Sequence, residues 1–334
     1  MMLEKERAGE KAYREEIVHF YDGETELAGI LCLPEGAGPH PVVIFIHGSG
    51  PADREGFGGF PPLWQAFARR GCASLAWDKP GVGASSGDWR LQTPQERARE
   101  CLAALTYLAR REDIDAGKMG VYGRSQAGWV IPFLVQMTDL VACVVAVSVS
   151  VASGSEQDVY RVAHQLPADG FTPEEVERAV AFARLRAALI HLRAPYACLA
   201  DLQTLAAHEP WFEDAGGAYP EAYYQIETSV PERYARPVLS SITCPVLAVF
   251  GERDTLIDVQ ESVEAYTELR RAGNRDVTIK VFASADHGPF LTRTGGMNEM
   301  QRSLQQTERP FPPGYLDLLA DWLQLHLAPA RHSG

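Results

Sequence analysis

No stretch of this chain is apolar for long enough to cross a bilayer, since the longest such run, Val141 to Ala152, is too short. The opening segment, Met1 to Glu16, carries charges of both signs and lacks the apolar centre of a signal peptide. Positive charge is scarce: 31 basic residues against 44 acidic ones leave a net charge of -13, which argues against nucleic acid or an anionic membrane as partner. The six cysteines (Cys32, Cys72, Cys101, Cys143, Cys198 and Cys244) are dispersed, lie mostly inside apolar segments and form no C-x-x-C pair or metal-like spacing. They read as reduced core thiols rather than disulfides or metal ligands. A P-loop, a dinucleotide-binding glycine fingerprint and a His/Glu metal motif are also missing, so no competing enzyme class is signalled. Internal repeats and low-complexity segments are absent too. The expectation is a soluble, cytoplasmic protein that acts on a small molecule without cofactor or metal, with a homodimer left open.

What is present is enough apolar material for a large core: 46% of 334 residues are hydrophobic, which suits one large α/β domain with an insertion better than two domains. Periodicity predicts strands near 15–22, 26–33, 41–47, 72–77, 118–123, 141–149, 245–250 and 277–283, the first two joined as a hairpin around Asp22-Gly23-Glu24. Helical patterns fall at 60–70, 94–111, 126–137, 259–272 and 313–327. Several strands, such as Pro41 to Ile46 and Val141 to Val147, are apolar on both faces, as buried parallel strands must be. A doubly wound, mostly parallel eight-stranded sheet follows. From Val151 to Ser241 the alternation stops and the chain reads as helices, with Thr172 as cap and Pro173 in the first turn of one of them. The aromatic residues of this insertion (Tyr196, Trp211, Phe212, Tyr219, Tyr223, Tyr224 and Tyr234) either form its own core or line a cavity, and the core is the favoured reading.

Ser125 lies in Gly120-Val121-Tyr122-Gly123-Arg124-Ser125-Gln126-Ala127-Gly128-Trp129, where a strand pattern breaks at small residues into a helical one. A sharp strand-to-helix turn that presents a nucleophilic hydroxyl requires nearly absent side chains two positions to either side, and Gly123 and Ala127 meet that need. The pattern alone also fits an ordinary strand end with a capping serine. The rest of the chain must therefore supply a base, an acid and an oxyanion site.

A serine hydroxyl is a poor nucleophile until its proton has somewhere to go. Of nine histidines, His287 in Ala285-Asp286-His287-Gly288-Pro289 follows the last strand, where a loop can carry an imidazole over the turn. The others fall in helical patterns (His164, His191, His208, His326), near the start (His19), in a turn (His40), in the tail (His332) or beside a strand end (His47). To orient that base, Asp254 follows the penultimate strand directly, and Asp258 is the alternative, although its position suits a helix cap. Asp286 adjoins His287 too closely to meet its Nδ1, and Glu252 points to the other face if strand alternation continues. For the developing negative charge, the Gln126 N–H is one donor at a helix start. The second is assigned to the Ser49 N–H in His47-Gly48-Ser49-Gly50, which could also be a plain glycine-rich turn. His47 reads as a brace for that loop.

Together these residues carry a family resemblance. Over roughly 15–327, the runs Gly48 to Arg54, Asp78-Lys79-Pro80-Gly81-Val82-Gly83-Ala84-Ser85 and Gly123 to Gly128 are similar to the α/β-hydrolase superfamily, and resemble bacterial carboxylesterases related to serine aminopeptidase-like and dienelactone-hydrolase-like proteins. The resemblance implies an eight-stranded sheet with its second strand antiparallel, a core formed by 15–150 and 242–330, a helical lid at 151–241 and a short extension at 1–14. Ala127 and Pro80 depart from the commonest residues at their positions without touching Ser125, Asp254 or His287. Asp78 and its glycines are expected to shape a loop, Asp53-Arg54 to pair locally or to offer Arg54 to an anionic substrate, Trp129 to pack on the sheet and Arg124 to be a surface or lid contact. The implied activity is hydrolysis of a carboxylic ester by Ser125, His287 and Asp254. Amides, peptides, thioesters, a lyase reaction and a non-catalytic binding protein are the alternatives.

Overall fold

Gly23 takes φ +60° at the turn where its sequence demands it, and folds β1 (Tyr13–Asp22) back along β2 (Thr25–Pro34), with Tyr13 opposite Pro34 and Asp22 opposite Thr25. The computed structural model describes residues 11–229, 236–304 and 310–327. After the hairpin come β3 (His40–Ile46), α1 (Pro61–Ala68), β4 (Ala73–Trp77), a 3₁₀ turn at Trp89–Leu91, α2 (Pro94–Leu108), β5 (Ile114–Arg124), α3 (Ala127–Met137) and β6 (Val141–Val147). The insertion follows as α4 (Gly154–Asp169), α5 (Pro173–His191), α6 (Tyr196–Ala206), α7 (Glu221–Ser229) and α8 (Arg236–Leu239). The chain then completes the sheet with β7 (Val246–Gly251), α9 (Val259–Arg271), β8 (Val277–Phe282), α10 (Met297–Leu304) and α11 (Tyr315–Leu327).

The eight strands form one sheet in the order β1-β2-β4-β3-β5-β6-β7-β8. The pairs β1–β2 and β2–β4 are antiparallel and all others are parallel. From β3 the chain moves to β4 on one side, and from β5 it moves to β6 on the other. The carboxyl ends of β3 and β5 therefore flank the point where winding reverses, which is where an open α/β sheet leaves a crevice.

The apolar-on-both-faces pattern is explained by two packed layers. Val42, Ile44, Val121, Val144, Ala146, Ala248 and Phe250 face α2, α3 and α9, while Val43, Phe45, Tyr122, Val145, Leu247 and Val249 face α1 and α11. Alternate residues of one strand thus feed opposite layers. The boundaries match the periodicity or differ from it by up to four residues. β1 begins at Tyr13, whose buried ring meets Trp64 edge-on. The helix α10 carries no predicted counterpart, being short and weakly apolar.

The insertion has apolar clusters of its own. Val162, Leu166, Phe182, Trp211 and Phe212 make one, and Ile190, Leu199 and Tyr224 make a second that Tyr196 and Tyr219 pack against. Its aromatic residues are thus chiefly its own core, with Tyr223 edge-on to Tyr219. Tyr234 lies outside the described residues. Thr172 caps α5 through the Glu175 N–H, and Pro173 stands in the first turn. Asp169 at the end of α4 accepts from the Met297 and Asn298 N–H groups, which ties the insertion to α10. Of the cysteines, four are buried, Cys244 is half-buried, and Cys198 is exposed on α6, on a different side from the buried Leu199 rather than in a core. Phe182→Ala should cost about 3–5 kcal/mol in urea unfolding, because Trp211 and Phe212 cannot close the space left. A loss under about 1 kcal/mol would mean that these rings do not share a packed core.

Candidate active site

Ser125 sits between the end of β5 and the start of α3 with φ +57°, a backbone region that costs a non-glycine residue about 1–3 kcal/mol and persists only when its surroundings enforce it. The surroundings are tight. A Cβ on Gly123 would lie 2.8 Å from Ala127 Cβ and 2.7 Å from Ile131 Cδ1, and one on Gly128 would lie 2.7 Å from the Ser150 carbonyl. A Cβ on Gly48 would lie 3.0 Å from Ser125 Cβ and 3.5 Å from its Oγ. The Ser125 N–H donates to the Val147 carbonyl at 3.1 Å, which pins the turn to β6. Gly48, just past β3, and Ser125, just past β5, thus meet at the point where the winding reverses.

The Nδ1 of His287 bonds Asp254 Oδ2 at 2.7 Å, and both side chains are buried. An ionised carboxylate only accepts, so Nδ1 carries the hydrogen and Nε2 keeps a lone pair. The other oxygen of Asp254 accepts the Leu256 and Ile257 N–H groups at 2.9 and 3.2 Å, which fixes the carboxylate. Asp258 caps α9, accepting from the Glu261 N–H at 3.0 Å. Asp286 turns back to accept the N–H groups of Gly288 and Phe290, and Glu252 accepts from the Ser284 N–H. None of these three bonds His287. The loops of Ser125 and His287 are joined by their neighbours, because Arg124 Nη1 donates to the Gly288 carbonyl at 3.3 Å.

The His47–Gly50 loop is braced from below. The His47 ring stacks on Phe60 at 5.1 Å, and its Nε2 donates to the Trp77 carbonyl at 2.7 Å. Burial pushes the His47 pKa down to about 3, with Lys79, Arg97 and Arg124 adding to the shift, so the ring is neutral and a brace rather than a base. Two further side chains hold the loop. Lys79 Nζ donates to the Gly48 and Gly50 carbonyls, both at 2.8 Å, and Arg97 donates to the His47 carbonyl at 2.7 Å and to Gln126 Oε1 at 2.6 Å. Burial lowers the pKa of both Lys79 and Arg97. Arg97 carries no sequence motif, and only its place on the apolar side of a helical pattern could have singled it out. Neither the Ser49 nor the Gln126 N–H has a protein acceptor among the described residues.

Asp78 shapes the next loop, as expected, but Arg54 pairs with it and not with Asp53. Arg54 Nε and its backbone N–H reach Asp78 Oδ1 at 3.1 and 2.8 Å, while Asp53 accepts the N–H groups of Glu55 and Phe57. Asp78 also accepts the Ala84 N–H at 3.0 Å. Burial works to raise the Asp78 pKa, and these bonds outweigh it, so the net shift is downward. Trp129 packs beneath the insertion and donates to the Ala152 carbonyl.

A mostly parallel eight-stranded sheet with a serine on a strained strand-to-helix turn at its reversal point defines an α/β-hydrolase. Within that class the chain belongs to the X-Pro dipeptidyl-peptidase (S15) family, which matches residues 22–288. It is 23% identical over 265 residues to Esterase EstD of Thermotoga maritima, covering 78% of this chain and 57% of that protein. The chain spans about a third to just over half the length of the curated relatives it matches. Among solved structures, the Pyrococcus furiosus esterase Pf2001 shares 17% identity and a TM-score of 0.56 over 80% of this chain and 82% of that one. The hypothetical protein PA2218 of Pseudomonas aeruginosa shares 19% identity and a TM-score of 0.58 over 95% of both chains. Among the described residues no helix is long and apolar enough to cross a membrane.

Folded His47 takes a proton only near pH 3, whereas the unfolded residue takes one near the ordinary value of about 6.5. Across that window the unfolded chain binds more protons, so stability falls as pH drops through it. His47→Asn should flatten this dependence, its Tm falling less between pH 6.5 and 4 than the wild type's. Equal falls would remove His47 from the buried neutral role.

Proposed function

We propose that the protein is a serine hydrolase that cleaves carboxylic esters through Ser125, His287 and Asp254. The observation that carries this reading is the 2.7 Å bond between His287 and Asp254, made on loops that Arg124 and Gly288 join to the strained Ser125 turn. Ser125 Oγ attacks the acyl carbonyl while His287 Nε2 takes its proton, the imidazolium being stabilised by Asp254. The N–H groups of Ser49 and Gln126 receive the oxyanion, and its collapse expels the alcohol, protonated by His287. Water then repeats the sequence on the acyl-enzyme and frees the acid. The helices α4 to α7 act as a lid that shapes the acyl or alcohol site. Esterases among the relatives support the ester assignment, and esters have better leaving groups than amides. Peptide-bond cleavage is the second reading, and the family to which the chain belongs favours it.

A fluorophosphonate probe should label the wild type and leave Ser125→Ala unlabelled, and persistent labelling of the variant would take Ser125 out of the nucleophile role. Asp254→Asn should lower kcat by roughly 10⁴, the cost of the equivalent change in a protease triad, while Asp258→Asn should leave it within about tenfold. The reverse order would reassign the acid. In a panel of p-nitrophenyl esters and Xaa-Pro p-nitroanilides, the short-chain esters should turn over faster. A preference for the anilides would select the second reading.

A further inference from the structure

Apart from the cis Gly38–Pro39 bond, the described peptide bonds are trans, and in a trans peptide the carbonyl and the N–H point in opposite directions. Arg97 holds the His47 carbonyl, so the N–H across that peptide, on Gly48, faces away from Arg97. Lys79 holds the Gly48 carbonyl, so the Ser49 N–H faces away from Lys79. The same ammonium holds the Gly50 carbonyl, and Ser49 is thereby fixed on both flanks. Gly48 itself lies against Ser125, and neither of these two N–H groups has a protein acceptor among the described residues. Arg97 also reaches the other donor-bearing segment, because its Nη1 bonds the Gln126 side chain while its Nη2 bonds the His47 carbonyl.

On this geometry, and resting on the serine-hydrolase reading above, we infer that Lys79 and Arg97 are positioning residues for the oxyanion site: Lys79 sets the Ser49 peptide plane, and Arg97 spaces the Ser49 arm from the Gln126 arm. Neither touches substrate. Both are buried, and the carboxylate beside them is Glu100, which accepts from Trp77 Nε1 and from Gln92 Nε2. Burial in a nearly dry layer gives each bond the rigidity that preorganised donors need, since donors that must reorient as charge develops lose much of their effect. The guanidinium at 97 meets acceptors on two segments from two separate nitrogens, Nη1 and Nη2, a span that the single nitrogen of a lysine does not offer.

The test compares the wild type with Arg97→Met, Arg97→Lys and Lys79→Met, measuring kcat, KM, Tm and the affinity of an alkylboronic acid, whose tetrahedral adduct places an oxygen in the oxyanion site. Arg97→Met should lower kcat about 10²-fold, near the low end of what losing one oxyanion donor costs, with KM changed less than about threefold. Boronate affinity should weaken in step with kcat/KM across the series, and Arg97→Lys should recover only part of the loss. Should Arg97→Met fail to fold, Gln126→Ala removes the same anchor while keeping the Gln126 N–H, and should show the same paired loss at a smaller size. A variant that folds and keeps kcat within threefold, or loses kcat/KM while binding the boronate as the wild type does, would overturn the inference. Fluorophosphonate labelling of the wild type separates this failure from failure of the hydrolase reading, since an unlabelled wild type sinks the reading itself.

Discussion

The structure turns on a steric constraint: a serine held at φ +57° with a glycine from a different strand pressed against it. For Ser125 to stand there, position 123 must lack a Cβ to clear Ala127 and Ile131, position 128 must lack one to clear the Ser150 carbonyl, and at position 48 a Cβ would sit only 3.0 Å from Ser125 Cβ. Three glycines far apart in use but converging in space are thus explained by one packing problem. The sheet supplies the place for it. Because β3 sends the chain to one side and β5 to the other, the two connections diverge and leave a crevice between their ends, where a strained turn can stand without disrupting the core.

Around that corner, charge and hydrogen bonding are arranged in two tiers. The upper tier is His287 with Asp254, both buried, the carboxylate fixed by two N–H groups of its own loop. The lower tier holds the loop after β3: His47, kept neutral by burial, braces it on Trp77, and Lys79 and Arg97 draw its carbonyls downward. Burying such polar side chains is costly unless each finds partners, and here the partners include the carbonyls of Trp77, His47, Gly48 and Gly50. Asp78 with Arg54 repeats the device one loop further on, where Gly83 must be glycine because a Cβ would lie 2.2 Å from Asp78 Oδ2.

Much of this was legible in the residues. Strands apolar on both faces, such as Val42 to Ile46, could only be interior and parallel, and Thr172 with Pro173 marked a helix start because capping chemistry is local. The pairing of His287 with Asp254 was legible because each follows a successive strand, so topology alone brings the two loops to one edge. Arg97 was not legible: a single arginine in a helical pattern looks like a solvated residue, and its burial depends on Gln126 and His47 arriving from elsewhere. Asp78 as the partner of Arg54 was not legible for the same reason, since nearness in sequence offered only Asp53. The short α10 was missed because eight residues give too little periodicity to mark a helix, and its start is held by Asp169 of the insertion.

The central claim is that the Ser125 hydroxyl, the His287 imidazole and the N–H groups of Ser49 and Gln126 converge on one reacting carbon. A crystal structure of the enzyme after reaction with a p-nitrophenyl alkylphosphonate tests it most directly. The account predicts phosphorus bonded to Ser125 Oγ, with the phosphoryl oxygen about 2.7–3.1 Å from both N–H groups and His287 Nε2 facing the ester oxygen. A phosphorus atom on another residue, or a phosphoryl oxygen turned to solvent with both N–H groups unused, would contradict it.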